Sequence, residues 1–307
     1  MSEQADPRRW RILWVLLLAI FMSLVNVSIV NVALPSIERG LGASQSDLQW
    51  VLSGYALTFG IFLVASGRAG DLMGRGGFFV LGVIVFTASS IGAGLAPNAG
   101  ALNGARFVQG VGSALLNPQG VGMIQQYFRG AERGRAFGYF GSAVGVAVGI
   151  GPVLGGALIE LGGPEYGWRL TFLVNVPVSI VCVVLALMWF PRPLFHRIRD
   201  SDTGRALGVG HAIRALDPVG SALLGVAVLA VLLPFVESGA TPWVWVLLFV
   251  GIVLVYVWIR WERHHGRTGG SPMVDLDIFR TRSFTNGSLI VALYFMGMTS
   301  IWVLIAL

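Results

Sequence analysis

Arg106 is the only charged residue between Arg75 and Arg129, and it heads the segment Arg-Phe-Val-Gln-Gly inside a long apolar stretch. Placing a charged side chain inside a bilayer costs about 3 kcal/mol on insertion scales and roughly 10 kcal/mol or more in simulations. This cost favours an inward, hydrated position over the alternative, an arginine near the outer helix end that reaches the surface. We therefore predict that Arg106 lines a central cavity together with Gln109.

Asn26 is the third residue predicted for this cavity, and it lies in the apolar run from Ile12 to Leu34. Its amide donates and accepts hydrogen bonds but does not titrate. No aspartate or glutamate lies well inside any predicted membrane span. Arg106 is therefore the one membrane-embedded ionisable group that the sequence offers.

The segment from Gly67 to Arg75 reads Gly-Arg-Ala-Gly-Asp-Leu-Met-Gly-Arg and joins two apolar runs. Its glycines permit a tight turn, and the carboxylate of Asp71 can pair with the guanidinium of Arg75 at the helix ends. A plain turn accounts for the glycines and arginines but less well for their spacing. We therefore predict a charge-paired turn that includes Gly67 and Gly74.

A stripe of small residues marks another apolar run. Gly141, Gly145 and Gly149 recur every four residues, which lets a neighbouring helix approach closely. Pro152 follows in the same run, and it lacks the N–H that would bond the carbonyl of Val148 four residues earlier. Helix packing alone would also use such a stripe. The motif that we single out consists of Gly145, Gly149, Gly151, Pro152, Gly155 and Gly156.

Signals for catalysis are weak. All 21 basic residues are arginine, so the chain has no lysine for a phosphate-binding P-loop, and we expect no ATP hydrolysis in this part of the protein. The histidines lie in predicted connections without metal-ligand spacing, and the single cysteine is interpreted as a packing residue. We predict no metal, no cofactor and no enzymatic activity. These residues are His196, His211, His264, His265 and Cys182.

The elements that position these groups are membrane helices. Of the 307 residues, 55% are apolar and 12% are charged, which is typical of a chain solvated by lipid. Runs of about 20 residues, long enough to cross a bilayer, occur nine times. The predicted spans are Ile12 to Leu34, Leu48 to Gly67, Gly76 to Leu95, Phe107 to Phe128, Ala136 to Ile159, Leu170 to Phe190, Val219 to Val236, Thr241 to Ile259 and Ser283 to Leu307.

The arginines predict the orientation of these spans. With a cytoplasmic N-terminus, 18 of the 21 fall on the inner side, leaving Arg39 and Arg169 outside and Arg106 within a span. This asymmetry explains the net charge of +6 without a nucleic-acid partner. The first run is too long for a signal peptide, so we interpret it as an uncleaved anchor.

The order of the runs predicts the domain organisation. Residues 1–191 form a six-helix bundle, 192–218 a cytoplasmic linker, 219–262 a two-helix insert, and 263–282 an amphipathic cytoplasmic connection. Residues 283–307 form the first helix of a second bundle. The chain stops inside an apolar run, so we expect it to be the N-terminal part of a longer protein.

These motifs resemble those of the major facilitator superfamily. The turn at Gly67 resembles a loop that latches the two halves of those transporters, although Ala69, Leu72 and Gly76 depart from its pattern. The Arg106 segment is similar to the fourth-helix motif linked to proton coupling, and Gly151-Pro152 to the antiporter motif of drug exporters. The Trp168-Arg169 segment and the two-helix insert resemble the drug:proton antiporter group with fourteen helices.

The resemblance implies an all-α membrane protein of the bacterial inner membrane. It implies a monomer that exports a hydrophobic or cationic small molecule against an inward proton gradient. The family commonly has aspartate where this chain has Asn26, so the coupling carboxylate lies elsewhere or coupling differs. A metabolite or sugar symporter and a truncated, transport-inactive membrane protein remain as alternatives.

Overall fold

The computed structural model describes residues 6–196, 216–236, 242–268 and 272–306. Within these ranges the chain forms helices and turns and contains no strand, which confirms the predicted all-α class. Most of the predicted linker, including His211, lies outside the described residues, as do the turn of the insert at Glu237 and the last residue, Leu307.

Each of the nine predicted spans lies on helical structure in the described part of the chain. Two short 3-10 helices, Pro242–Trp245 and Leu276–Arg280, lie between the longer ones. The α-helices are α1 Arg9–Leu41, α2 Gln45–Met73, α3 Arg75–Gly94, α4 Ala99–Tyr127, α5 Gly130–Leu173, α6 Asn175–Trp189, α7 Pro218–Val236, α8 Val246–Arg267 and α9 Arg282–Ala306.

Capping side chains fix where α2 and α4 begin. Ser44 and Asp47 form a reciprocal capping box at the start of α2. Asn98 accepts a hydrogen bond from the N–H of Ala101 at 2.8 Å and starts α4 at Ala99. This start is eight residues before Phe107, where the prediction placed it. Arg106 therefore lies two turns inside α4 instead of at its head.

The fifth and sixth predicted spans are two arms of a bent stretch. Helix α5 runs for 44 residues but changes direction at Gly163, whose φ of 77° lies in the region that favours glycine. Pro164 follows and begins the second arm, which continues into α6. The stretch Gly130–Trp189 is one of six stretches among the described residues that are long and apolar enough to cross a membrane.

The first six helices form a bundle in which α1 packs on α5, α4 packs on α2 and α3, and α6 packs on α1 and α3. Two clusters of buried side chains fill it. One lies around Leu16, Phe79 and Phe190, and the other around Ile37 and Trp168. Helices α7 and α8 form a hairpin whose α7 rests on α2, so the insert is attached to the bundle.

The outer surface of the hairpin is apolar. On α8, Phe249 is 69% exposed and Ile252 is 59% exposed, and both are side chains that lipid tails solvate well. We use the name Arg-rich end for the side of the bundle that carries Arg8, Arg9, Arg11, Arg68, Arg75, Arg129 and Arg133.

Candidate functional site: a buried polar network beside a cavity

Arg106 is 1% exposed at the centre of the bundle. Its Nε donates to the carbonyl oxygen of Val51 at 2.7 Å, and its Nη1 donates to Oε1 of Gln109 at 2.6 Å. The guanidinium carbon lies 4.5 Å from the ring centroid of Tyr55 and 5.9 Å from that of Phe172. Among the described residues no carboxylate forms an ion pair with it. Oxygen acceptors and aromatic faces thus stabilise this charge.

Gln109 connects Arg106 to α1 and α3. Its Nε2 donates to Oδ1 of Asn26 at 3.3 Å and to Oγ of Ser90 at 2.8 Å. The same Asn26 oxygen accepts from Nδ2 of Asn175 at 3.2 Å, while the Asn26 Nδ2 has no partner among the described residues. The structure therefore brings the three predicted residues into one hydrogen-bond network, which we call the Arg106 network: Asn26, Val51, Ser90, Arg106, Gln109 and Asn175.

A second polar cluster adjoins this network and was not predicted. The Tyr55 hydroxyl lies 2.7 Å from Ser113 Oγ and 3.2 Å from Ser23 Oγ, and the two serine oxygens are 3.1 Å apart. Asn117 Nδ2 donates to Ser23 Oγ at 3.3 Å. Tyr55 links this cluster to the Arg106 network, because its ring faces Arg106 and its hydroxyl bonds the serines.

The spacing on α4 carried a signal for this second cluster. Arg106, Gln109, Ser113 and Asn117 are three or four residues apart, so their side chains share one helix face. Serine and asparagine within a helix often bond only their own backbone, which makes them weak signals one at a time. The polar stripe on one face was the stronger pattern.

A cavity of about 330 Å³ opens beside these groups between α1, α2 and α4. Arg106 borders it, whereas Asn26 and Gln109 are 0% exposed and lie behind it in the bundle. The cavity lining mixes hydroxyl and amide groups with apolar side chains. Its residues are Ser23, Leu24, Val27, Asn31, Leu52, Tyr55, Ala56, Phe59, Arg106 and Asn117.

The predicted charge-paired turn lies between α2 and α3. Arg75 Nε donates to Oδ1 of Asp71 at 2.8 Å, and Arg75 Nη1 also bonds the carbonyl oxygen of Gly122 on α4. Gly74 has a φ of 114°, a conformation that side-chain-bearing residues rarely adopt. A Cβ built on Gly67 would make only an ordinary van der Waals contact with Pro118 on α4, so this position does not require glycine for space. The turn thus ties three helices together at the Arg-rich end.

The segment after α6 returns to this turn. The N–H of Gly77 donates to the carbonyl oxygen of Leu194 at 3.0 Å, and the N–H of His196 donates to that of Met73 at 2.7 Å. A Cβ on Gly77 would overlap the ring of Phe195, so glycine is required for this close approach. We call residues 194–196 the clip segment. It fixes the beginning of the predicted linker to the bundle.

The glycine motif of α5 has one face packed against α1. Cβ atoms on Gly151 and Gly155 would collide with Ser28 and Ile29, so both glycines permit close contact. Ser28 Oγ donates to the Val148 carbonyl at 3.4 Å. Pro152 has no N–H for that carbonyl, so the serine replaces part of a missing helix bond.

The other face of the motif is open. Cβ atoms built on Gly145, Gly149 and Gly156 meet no described atom within 4 Å. Two exposed apolar side chains, Ile150 at 45% and Val153 at 74%, lie on the same helix. The six motif residues therefore do not form one packing surface: Gly151 and Gly155 pack on α1, and Gly145, Gly149 and Gly156 face away from it.

Comparisons with known proteins agree with this helical bundle. The sequence model of the Major Facilitator Superfamily matches residues 16–307, so the chain belongs to that family, as its motifs predicted. The family consists of membrane transporters, and the chain is a multi-pass membrane protein.

Curated relatives cover nearly all of this chain. A Streptomyces coelicolor protein named "Probable actinorhodin transporter" is 34% identical over 303 residues, covering 98% of this chain and 50% of that protein. The multidrug resistance protein Stp of Mycobacterium tuberculosis is 32% identical, with 87% and 46% covered. The puromycin resistance protein of Streptomyces alboniger is 35% identical, with 84% and 48% covered. The chain therefore spans about half the length of these relatives.

Solved structures share the fold. A bacterial homologue of the human lysosomal transporter Spinster, inward-facing and occupied, gives a TM-score of 0.55 at 20% identity and covers 78% of this chain and 63% of that one. A peptide transporter POT bound to sulfate gives 0.56 at 17% identity, with 84% and 52% covered. At these identities the likeness supports the fold alone.

Proposed function

We propose that the complete protein is a secondary active transporter that exports a hydrophobic or cationic small molecule against an inward proton gradient. The observation that carries the proposal is the buried charge of Arg106 at the edge of the cavity between α1, α2 and α4. A charge in this position is expensive and is a mark of a transport pathway. Relatives named for multidrug and puromycin resistance support a drug-like substrate.

The cavity suits such a molecule. Its apolar residues, including Leu52 and Phe59, offer contact area, and Asn31 and Asn117 offer hydrogen bonds. In the complete protein a second bundle would close this face, and rocking of the two bundles would expose the cavity to each side in turn. The open glycine face of α5 would lie against that second bundle.

The fourteen-helix architecture is part of the proposal. The hairpin of α7 and α8 stands after six helices, and α9 begins the next bundle. The Arg-rich end would face the cytoplasm, which places the N-terminus there. At that end the turn formed by Gly67, Asp71, Gly74 and Arg75 would contact the second bundle as a latch.

Proton coupling has to involve groups other than Asn26. Its amide accepts two hydrogen bonds but cannot exchange a proton at physiological pH, and the guanidinium of Arg106 stays protonated. We propose that Arg106 responds to a carboxylate contributed by the missing half. The Arg106 network would hold the guanidinium in place for that contact.

The test is transport by the complete protein in proteoliposomes with an imposed pH gradient. Wild-type protein should extrude a fluorescent cationic dye, and an ionophore that collapses the gradient should stop it. Arg106→Ala should lower the rate by at least tenfold, about 1.4 kcal/mol in activation free energy. The matched control is Arg169→Ala, because Arg169 likewise donates to a backbone carbonyl and lies over an aromatic ring, but it stands outside the Arg106 network.

Unchanged transport in the Arg106 variant would contradict the role of this residue. Gradient-driven uptake of a metabolite instead of dye export would identify a symporter. A relative named as a riboflavin transporter, 29% identical over 94% of this chain, makes riboflavin a reasonable first metabolite to test. Absence of gradient-driven movement of either solute would contradict the proposal.

A further inference from the structure

Two buried carboxyl groups face each other at the Arg-rich end of the insert. Asp217, which immediately precedes α7, is 2% exposed, and Glu262 in the last turns of α8 is 1% exposed. Cβ built on Gly220 would collide with both Asp217 Oδ2 and Glu262 Oε1, so the two oxygens converge on one point. The two carboxyl side chains therefore lie next to each other. We call them the carboxyl pair.

The surroundings supply N–H donors to three of the four carboxylate oxygens. Asp217 Oδ1 accepts from the N–H of Gly220 at 3.0 Å, and Trp261 Nε1 lies 3.2 Å and 3.1 Å from its two oxygens. Glu262 Oε2 accepts from the N–H of Val274 at 3.3 Å. Glu262 Oε1 is the exception, because it is buried, has no donor and is directed at the other carboxyl group.

Nothing basic among the described residues neutralises the carboxyl pair. No arginine or histidine there forms an ion pair with either group. His265 stacks on Trp261 at 5.9 Å. The α2 residues that share a cavity with the start of α7 are Ala65, Ser66 and Ala69, and Arg68 is the charged residue on the same turn of α2. The charged groups that share a cavity with Glu262 are Arg263, Arg267, Asp275, Asp277 and Arg280.

We propose that Asp217 and Glu262 form a proton-binding site that holds one proton between their carboxyl groups. The proton supplies the donor that Glu262 Oε1 lacks and removes the repulsion between two buried like charges. A metal cation fits less well, because its further ligands would have to be oxygens, whereas the neighbouring groups are N–H donors. The site is separate from the Arg106 network and does not depend on the proposed export function.

A cavity beside Glu262 gives the proton a route to the site, and loss of the proton would change the contact between α7 and α8. Glu262 borders a cavity of about 600 Å³ between the end of α8 and the 3-10 helix Leu276–Arg280. Protons can enter through this cavity without crossing the bundle. Once the proton has left, two carboxylates repel each other across the first turn of α7, so the ends of the hairpin separate more readily.

The first experiment detects the proton by infrared spectroscopy of the full chain in lipid nanodiscs. At neutral pH the wild type should show a protonated carboxyl C=O band that shifts in D₂O. Glu262→Gln and Asp217→Asn should each abolish it, because an amide can donate to the remaining carboxylate. Asparagine also tolerates the positive φ of 43° at position 217. The control Glu160→Gln, at an exposed carboxylate, should keep the band.

The second experiment measures stability against pH. A proton bound more tightly in the folded chain stabilises it at low pH, and that contribution is lost as pH rises. As the pH rises from acidic to alkaline, the unfolding temperature of the wild type and of Glu160→Gln should therefore fall more steeply than that of either amide variant.

Three results would overturn the proposal. One is a wild-type spectrum without a protonated carboxyl band at neutral pH. Another is a band that persists in both amide variants. The third is a band that appears only when sodium and magnesium are removed, since it would assign a cation to the carboxyl pair. None of these measurements involves transport, so failure here leaves the proposed function untouched.

Discussion

The Arg106 network and the carboxyl pair are both buried, yet they handle charge in opposite ways. Arg106 keeps a permanent cation among a carbonyl, an amide oxygen and two aromatic rings. The carboxyl pair brings two acids together without a cation among the described residues. A guanidinium cannot release its proton in a protein, whereas a carboxyl pair can gain or lose one. The bundle therefore holds a fixed charge and the insert a variable one.

The largest effect is expected from removing the amide at the centre of the Arg106 network. Gln109→Leu leaves an Arg106 N–H, the Asn26 oxygen and Ser90 without their shared partner beside a buried charge. The free energy of unfolding should fall by about 3–5 kcal/mol. The measurement is unfolding of the chain by a denaturing detergent in mixed micelles.

Gln126→Leu is the matched control for this change, because Gln126 is exposed near the end of the same helix. It should shift the free energy of unfolding by less than about 0.5 kcal/mol. Equal losses in the two variants would mean that the Arg106 network adds nothing to the stability of the fold.

A second change disturbs the carboxyl pair without altering its charge. Gly220→Ala puts a methyl group where both carboxylate oxygens converge, so the free energy of unfolding should fall by about 1–3 kcal/mol. Gly134→Ala is the control, since its Cβ meets no described atom and alanine favours helices. It should be neutral or stabilising, and a comparable loss there would show that the Gly220 effect is unrelated to the carboxyl pair.

A third change introduces a carboxylate into the bundle, so that the bundle as well as the insert contains a buried acidic group. Asn26→Asp keeps the oxygen that accepts from Gln109 and Asn175 and deletes the N–H₂ group that has no partner among the described residues. The chain should keep its stability or gain about 1 kcal/mol. Thermal unfolding in nanodiscs measures it, and a loss above about 2 kcal/mol would show that the buried site rejects a second charge.

The smallest effect is expected at a surface ion pair. Asp71→Asn removes the charge that pairs with Arg75, yet both side chains are partly exposed at 49% and 26%. The free energy of unfolding should fall by less than about 1 kcal/mol, and less still in high salt. Detergent unfolding at two salt concentrations tests this, and a loss as large as that of Gln109→Leu would place this pair among the main determinants of the fold.

The sequence predicted the spans and the central residues because apolar length and an isolated charge are strong patterns. Asn26, Arg106 and Gln109 belong to one hydrogen-bond network, but only Arg106 borders the cavity that we predicted all three to line. The polar cluster of Tyr55, Ser23, Ser113 and Asn117 was missed, because single hydroxyls in apolar helices are common and their partners come from other helices. The carboxyl pair was missed for another reason. Asp217 and Glu262 stand at the ends of separate apolar runs, where acidic residues usually face water.

The glycines show a further limit of prediction from one chain. Gly149 and Gly151 are both members of the predicted glycine motif of α5, yet of these two only Gly151 packs on α1. Helical periodicity assigns residues to faces, but the identity of the neighbour depends on how the bundle assembles. The charge-paired turn was easier to predict from the sequence, because Asp71 and Arg75 are close in sequence and their contact depends on local helix geometry.

The clip segment and the insert are attached to the bundle separately, and both attachments include α2. Leu194–His196 is hydrogen-bonded to Met73 at the end of α2 and to Gly77 at the start of α3. Helix α7 rests on the middle of α2, where a Cβ built on Gly60 would lie within 4 Å of Val228 and Leu232. The chain is therefore attached to the bundle both before and after residues 197–215. A single protease cut within 197–215 should therefore leave both fragments associated, and the insert would travel with the first bundle as one body.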